Sequence, residues 1–199
     1  PRYNNDQPEQ GQVYVYYGAA SLVKTPKPDW VISGSQASIQ LGYSVSGAGD
    51  VNNDGFDDVI IGAPFFDTDI YSDTGAASGA AYVYLGSEDG MASEPVWAAT
   101  GLQAGAEFGY SVGGAGKVNS DSYSDVVIGA PYTAVDYSNE GAAYLYYGTV
   151  GGVEASPGWS MLGGQDSARF GTAVGSARDF DQDGFDEIII GVPGFDNDQ

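Results

Sequence analysis

Apolar positions recur along the chain in two patterns. In Ala81-Tyr82-Val83-Tyr84-Leu85, tyrosine alternates with aliphatic residues at period two, the mark of a strand with two different faces. Asp58-Val59-Ile60-Ile61-Gly62 is instead a short continuous apolar run, as expected of a strand buried on both faces. Gly42-Tyr43-Ser44-Val45 before that run and Val96-Trp97-Ala98-Ala99 after the Tyr-rich segment complete a set of four predicted strands. Helix formers are sparse and Gly reaches 31 of 199 residues, about twice average usage. The pattern predicts an all-β chain with many tight turns.

The same set occurs three times. Gln12-Val13-Tyr14-Val15-Tyr16-Tyr17-Gly18 returns as Ala80 to Gly86 and as Ala142 to Gly148, offset by 68 and then 62 residues. Trp30, Trp97 and Trp159 follow, then Gly42, Gly109 and Gly171, then Pro64, Pro131 and Pro193. From Trp to Pro every spacing is constant, so the length differences sit elsewhere, chiefly in a five-residue insertion between Phe65 and Ser78. Four short antiparallel strands per unit of about 60 residues describe a propeller blade. A β-sandwich gives no reason for three copies in register. The expected division is a half blade at 1–41, blades at 42–107 and 108–169, and a half blade at 170–199. Pro1 aligns with the three repeat prolines, so the halves suit either a segment of a larger ring, completed elsewhere or by self-association with another copy, or a closure in which they pair. The larger array is the expectation, because three blades fall below the usual four to eight.

Charge narrows the chemistry. Six Lys and Arg against 27 Asp and Glu leave a net charge of -21, which repels nucleic acid and anionic membranes. With no His and no Cys, the chain offers no zinc site of the usual type, no thiol nucleophile, no Ser-His-Asp triad and no disulfide. No apolar run is long enough for a transmembrane helix, so direct membrane insertion is not expected.

Much of the acid sits in loops between the first two strands. Asp50-Val51-Asn52-Asn53-Asp54-Gly55-Phe56-Asp57-Asp58 and Asp179-Phe180-Asp181-Gln182-Asp183-Gly184-Phe185-Asp186-Glu187 place oxygen ligands at positions 1, 3 and 5, glycine at 6 and a backbone carbonyl at 7. A hard Ca²⁺ ion wants six to eight such oxygens. The final acid of a helix-flanked calcium loop, at position 12, is absent; Ile61 and Ile190 stand there. The carboxylate that closes each site is therefore expected at position 9. One site comprises Asp50, Asn52, Asp54, the Phe56 carbonyl and Asp58; the other comprises Asp179, Asp181, Asp183, the Phe185 carbonyl and Glu187. The middle repeat has a degenerate loop, with Lys117 at position 1 and Ser122 in place of the turn glycine. Asn119, Asp121 and Asp125 carry too little charge for tight binding, so this loop is expected to be metal-free, with the Lys117 ammonium bonded to those acids.

Leu41-Gly42-Tyr43-Ser44-Val45, Phe108-Gly109-Tyr110-Ser111-Val112 and Phe170-Gly171-Thr172-Ala173-Val174 are each followed by an acidic loop. Gly62-Ala63-Pro64, Gly129-Ala130-Pro131 and Gly191-Val192-Pro193 come next. The combination resembles FG-GAP repeats, those of the integrin α-subunit N-terminal propeller and of many prokaryotic surface proteins. The resemblance covers nearly the whole chain. It implies a β-propeller, Ca²⁺ in the loops joining strands one and two, and ligand binding on the opposite face.

In a four-stranded meander that opposite face carries the loops joining strands two and three. Asp67, Asp69, Tyr71, Asp73, Tyr132, Asp136 and Tyr137 lie in those loops and combine aromatic surface with negative charge. They are the candidate contacts for a protein or glycan ligand; solvated loops without a ligand are the competing reading. Alternating tyrosines and the Trp of each repeat are expected to pack between blades rather than to stack on a sugar. Catalysis is not expected, since clustered carboxylates outside Asp67 to Asp73 are accounted for by Ca²⁺. The reading is a non-enzymatic, Ca²⁺-binding adhesion or ligand-binding module, extracellular or at the cell surface. The alternative is a scaffold or accessory module of a larger secreted or surface enzyme.

Overall fold

Tyrosine-aliphatic alternation and continuous apolar runs become neighbouring strands of one sheet. The computed structural model describes residues 9–18, 27–67 and 77–197, and all regular structure among them is β. An antiparallel pair comes first, β1 (Gln12–Val15) with β2 (Trp30–Ser33). A four-stranded antiparallel meander follows: β3 (Ser44–Gly49), β4 (Asp58–Ala63), β5 (Ala80–Tyr84) and β6 (Trp97–Thr100). A second is built from β7 (Ser111–Gly116), β8 (Asp125–Ala130) and β9 (Ala142–Tyr146), with β12 (Trp159–Leu162) outermost. A small hairpin, β10 (Gly148–Thr149) with β11 (Gly152–Val153), interrupts the connection to β12. β13 (Ala173–Arg178) and β14 (Glu187–Gly191) form the last pair. Each four-stranded sheet is a propeller blade. No helix of the described residues is long and apolar enough to cross a membrane.

The core lies between successive sheets. Period-two geometry sends alternate residues of a strand to opposite faces. Thus Ile60 and Val83, cross-strand partners, share a core with Val112, Val126 and Ile128 of the next blade. Ile61 and its partner Tyr82 point the other way, towards Val13 and Leu41. A strand that feeds both cores must be apolar on both faces, as Val126 to Ala130 are in β8, which is buried along its whole length.

Backbones come close where the repeat requires glycine. A Cβ on Gly62 would run into the carbonyl of Gly109, and one on Gly129 into that of Gly171. At the same junctions Ser44 Oγ donates to the Gly109 carbonyl at 2.8 Å and Ser111 Oγ to that of Gly171 at 2.7 Å. Trp30 and Trp97 then clasp the following sheet. Trp30 lies edge-on to Tyr84 at 5.2 Å and Trp97 edge-on to Tyr146 at 4.9 Å. Their indole nitrogens donate to the carbonyls of Ala92 (3.0 Å) and Glu154 (2.8 Å).

The first strand of each repeat begins later than the sequence pattern predicts. Gly42 and Tyr43 form the turn before β3, where the Tyr43 N–H donates to the Gln40 carbonyl. Each first strand ends in a β-bulge beside the acidic loop, between Gly47 and Gly49, Gly114 and Gly116, and Ser176 and Arg178. The last residue there is left-handed, with φ of 75° at Gly49, 80° at Gly116 and 56° at Arg178. Only the third repeat puts a side chain in that strained position.

Candidate metal centres

The acidic loops fold by bonding their own backbone. In the first, Asp50 accepts the N–H groups of Asp54 (2.9 Å) and Gly55 (2.8 Å), and Asp54 accepts that of Phe56 (2.9 Å). Asn52 Oδ1 also accepts from Asp54, at 3.2 Å. These short-range carboxylate turns need a left-handed residue to close, supplied by Asn53 (φ 57°) and Gly55 (φ 94°). The third loop repeats the pattern: Asp179 accepts from Asp183 and Gly184, both at 3.1 Å, Asp183 from Phe185 at 2.9 Å, and Gln182 and Gly184 are left-handed. One oxygen each from Asp179, Asp181, Asp183 and Glu187 lies within 4.8 Å of all the others, the only such acidic group among the described residues. Four hard oxygen donors at that separation fit a divalent cation of calcium's size.

Position 9 behaves differently in the first loop. Asp58 is buried, with Oδ2 accepting the Val51 N–H and Oδ1 the Gly86 N–H, both at 2.8 Å. Burial pushes its carboxyl up to about 6, with Asp54 and Asp50 adding to the rise and the two N–H groups opposing it. It joins the loop to the end of β5. Asp50 and Asn52 are half-buried and Asp54 is exposed.

The middle loop departs further. Asn119 accepts from Asp121 and Asp121 from Tyr123, but neither Ser120 nor Ser122 is left-handed. Asp125 is fully buried and spends its oxygens on Val118 (3.0 Å) and Gly148 (2.9 Å). Burial lifts its carboxyl to about 6 as well. The expected contact of the Lys117 ammonium with Asn119, Asp121 and Asp125 is not formed, because Asp125 is turned inward. Lys117 instead uses its backbone: its N–H donates to Asp186 Oδ2 at 2.8 Å, and its carbonyl accepts the Asp186 N–H at 2.9 Å. The equivalent Ser124 N–H donates to the Asp50 carbonyl at 2.9 Å. Position 8 of each loop thus docks on position 1 of the loop before it.

The FG-GAP repeat model matches residues 41–84 and 170–199, which contain the first and third loops. Integrin alpha-5 of Xenopus laevis is 35% identical over 168 residues, covering 82% of this chain and 16% of that protein. Integrin alpha pat-2 of Caenorhabditis briggsae is 34% identical over 173 residues (79% and 14%), and integrin alpha-V of Gallus gallus 30% over 191 residues (94% and 17%). The chain belongs to the FG-GAP repeat family. It spans about one-sixth of the length of the curated relatives it matches. The blade with the lysine-bearing loop lies outside the FG-GAP match yet has the same strand order as the blade before it.

On the opposite side of these FG-GAP blades, aromatic rings run from blade to blade. Phe65 meets Tyr43 edge-on at 5.8 Å, Tyr43 meets Tyr110 at 5.0 Å, and Tyr110 meets Tyr132 at 6.1 Å. The Arg169 guanidinium stands over the Tyr132 ring at 5.6 Å. A hydrogen bond to Tyr110, reinforced by burial, pushes the Tyr43 hydroxyl up to about 12. Tyr132 is therefore part of a larger aromatic surface that the sequence reading missed. The signal was present, since Tyr43 and Tyr110 each follow a repeat glycine. Asp136 and Tyr137 are exposed in the same loop, and Asp67 is half-buried beside Phe66. Asp69, Tyr71 and Asp73 lie outside the described residues.

Two further groups hold this face together. Glu140, fully buried, accepts the N–H groups of Val135 and Asp136 at 2.9 Å, Tyr137 at 3.4 Å and Gly164 at 3.3 Å. Burial alone would raise its carboxyl, but these donors hold it below the usual value. Gln103 pairs through both amide atoms with the backbone of Ala134, and Gln165 does the same with Asp196. Gln36, Gln103 and Gln165 each stand six residues before a repeat glycine, a spacing from which these clips could have been predicted.

Proposed function

We propose that this chain is a non-enzymatic, Ca²⁺-stabilised adhesion or ligand-binding propeller module, working outside the cell or at its surface. Calcium is held by the first and third acidic loops, and a protein or glycan ligand is taken on the opposite face; the module also self-associates. The observation that carries the reading is the convergence of Asp179, Asp181, Asp183 and Glu187 in one FG-GAP loop. A cation there offsets four carboxylates held together in a protein of net charge -21 and fixes the hairpin that bears them. Likeness to integrin α-subunits supports an adhesive role, and the aromatic run from Phe65 to Tyr132 offers a surface for a partner.

The test has two arms. Calorimetric titration with Ca²⁺ should show two sites, with the melting temperature rising in Ca²⁺ and falling in excess EDTA. Free Ca²⁺ at a hundredfold excess over Kd corresponds to about 2.7 kcal/mol of stabilisation. No heat of binding and an unchanged melt would remove the calcium arm. For the ligand arm, a glycan and matrix-protein panel is probed with the wild type and with Tyr132→Ala/Tyr137→Ala. Binding that survives the double substitution moves the ligand site elsewhere.

A further inference from the structure

The three acidic loops are joined in series from blade to blade. The Ser124 N–H of the middle loop reaches the carbonyl of Asp50, a predicted ligand of the first loop, at 2.9 Å. Asp186 stands next to Glu187, the closing carboxylate of the third loop, and Lys117 holds it twice. Its Oδ2 accepts the Lys117 N–H at 2.8 Å, and its own N–H donates to the Lys117 carbonyl at 2.9 Å. Both contacts depend on a bulge glycine. A Cβ on Gly49 would come within 2.6 Å of Ser124 Oγ, and one on Gly116 would run into the Asp186 carboxylate. Between these two contacts the middle loop is stiff at its base. Gly116 pairs with Asp125 across β7 and β8, and buried Asp125 also accepts the Val118 N–H at 3.0 Å, so Ser124 and Lys117 keep a fixed separation.

We propose that the Lys117 loop couples the first and third loops, so that they take up Ca²⁺ with positive cooperativity. The proposal rests on the calcium reading above and adds the regulation of those sites. Ordering Asp50 in the first loop fixes the acceptor on which Ser124 rests and, through the base of the middle loop, fixes the peptide that precedes Glu187. Part of the entropy cost of ordering the second loop is then already met when its ion arrives. Linkage makes the effect equal in both directions. Charge alone predicts the opposite sign, because a cation in one loop weakens the negative field at the other in a protein of net charge -21. Salt screens that long-range effect, whereas the main-chain contacts persist. The sign of the coupling therefore tells the two apart.

Asp54→Asn and Asp183→Asn each leave one loop competent, and calorimetric titration at about 0.15 M salt gives the association constant of each surviving site. The product of the two wild-type constants should exceed the product of these single-site constants by about fivefold. Amide exchange reads the relay directly. In Asp183→Asn, whose third loop is disabled, Ca²⁺ should still slow exchange at Lys117 and Asp186 by about fivefold. Gly116→Ala should abolish the excess in the wild-type product, whereas Gly47→Ala, whose added methyl meets open space, should keep it. If the Gly116 variant does not fold, the constants and exchange rates of the other proteins still decide. A wild-type product no larger than the single-site product, or unchanged exchange at Asp186 while the first loop binds, overturns the coupling and leaves the calcium reading standing. No Ca²⁺ binding in any of these proteins overturns both.

Discussion

Trp97 and Glu154, 57 residues apart, are joined by a hydrogen bond of 2.8 Å from the indole nitrogen to the main-chain carbonyl. The same indole packs edge-on against Tyr146, so one residue of the first blade carries both an apolar and a polar contact to the second. Trp97→Phe keeps most of the packing and loses the donor, and is expected to cost about 1 kcal/mol. Trp97→Ala is expected to cost about 3–5 kcal/mol. Urea unfolding monitored by circular dichroism measures both; a Trp97→Phe stability equal to wild type would mean that the hydrogen bond contributes nothing.

The acidic loops should separate by substitution. Asp183→Asn in the third loop should remove one calcium site from the titration and shrink the Ca²⁺-dependent rise in melting temperature. Asp121→Asn in the lysine-bearing loop should change neither. A loss of calcium stoichiometry in the Asp121 variant would show that the middle loop holds an ion.

Glu140 is a buried carboxylate whose partners are backbone N–H groups. Glu140→Ala strands those donors, at about 1–3 kcal/mol for each that finds no water. The substitution should speed amide exchange at Val135 and Asp136 by at least tenfold. Glu140→Gln should be milder, because its amide oxygen still accepts. Exchange rates that match wild type would mean that the 132–140 loop is held by other contacts.

Asp125 gives a pH dependence of unusual sign for a carboxylate. Burial pushes its carboxyl up to about 6 in the fold, against an ordinary value of 3.8. Between those values the native state keeps a proton that the unfolded chain has lost, so this contribution to stability falls as pH rises from about 4 to 6. The slope is at most about 1.4 kcal/mol per pH unit. Glu140, shifted downward, acts oppositely: its contribution is present at neutral pH and is lost as pH falls through its lowered value. Denaturation in EDTA across pH 4–7 should show a smaller decline towards neutrality in Asp125→Asn than in wild type. Parallel curves would remove Asp125 from the account.

Arg178 occupies the left-handed position that Gly49 and Gly116 hold in the other repeats. Relieving that conformation with Arg178→Gly should stabilise the chain by about 1 kcal/mol, less the extra freedom glycine gives the unfolded state. A lower melting temperature would show that the Arg178 side chain makes a compensating contact.

Strands, repeat and loops were legible in the sequence because each is written in short-range spacing. Alternation in Ala81 to Leu85 and the apolar run after Asp58 fix which residues face a neighbouring sheet. Asp50, Asp54 and Gly55 make a turn from neighbours within five residues. The recurrence of Trp30, Trp97 and Trp159 says that one contact is made several times, but not with what. Tertiary structure alone decided that Asp58 and Asp125 turn inward to Gly86 and Gly148, and that Glu140 gathers the backbone of its loop. It also decided that Lys117 meets Asp186 through its main chain rather than its ammonium. The reason is physical. A carboxylate in an acidic run has the same local sequence whether it faces water, a cation or a buried N–H group, and the choice is made by which backbone groups a distant strand brings within 3 Å.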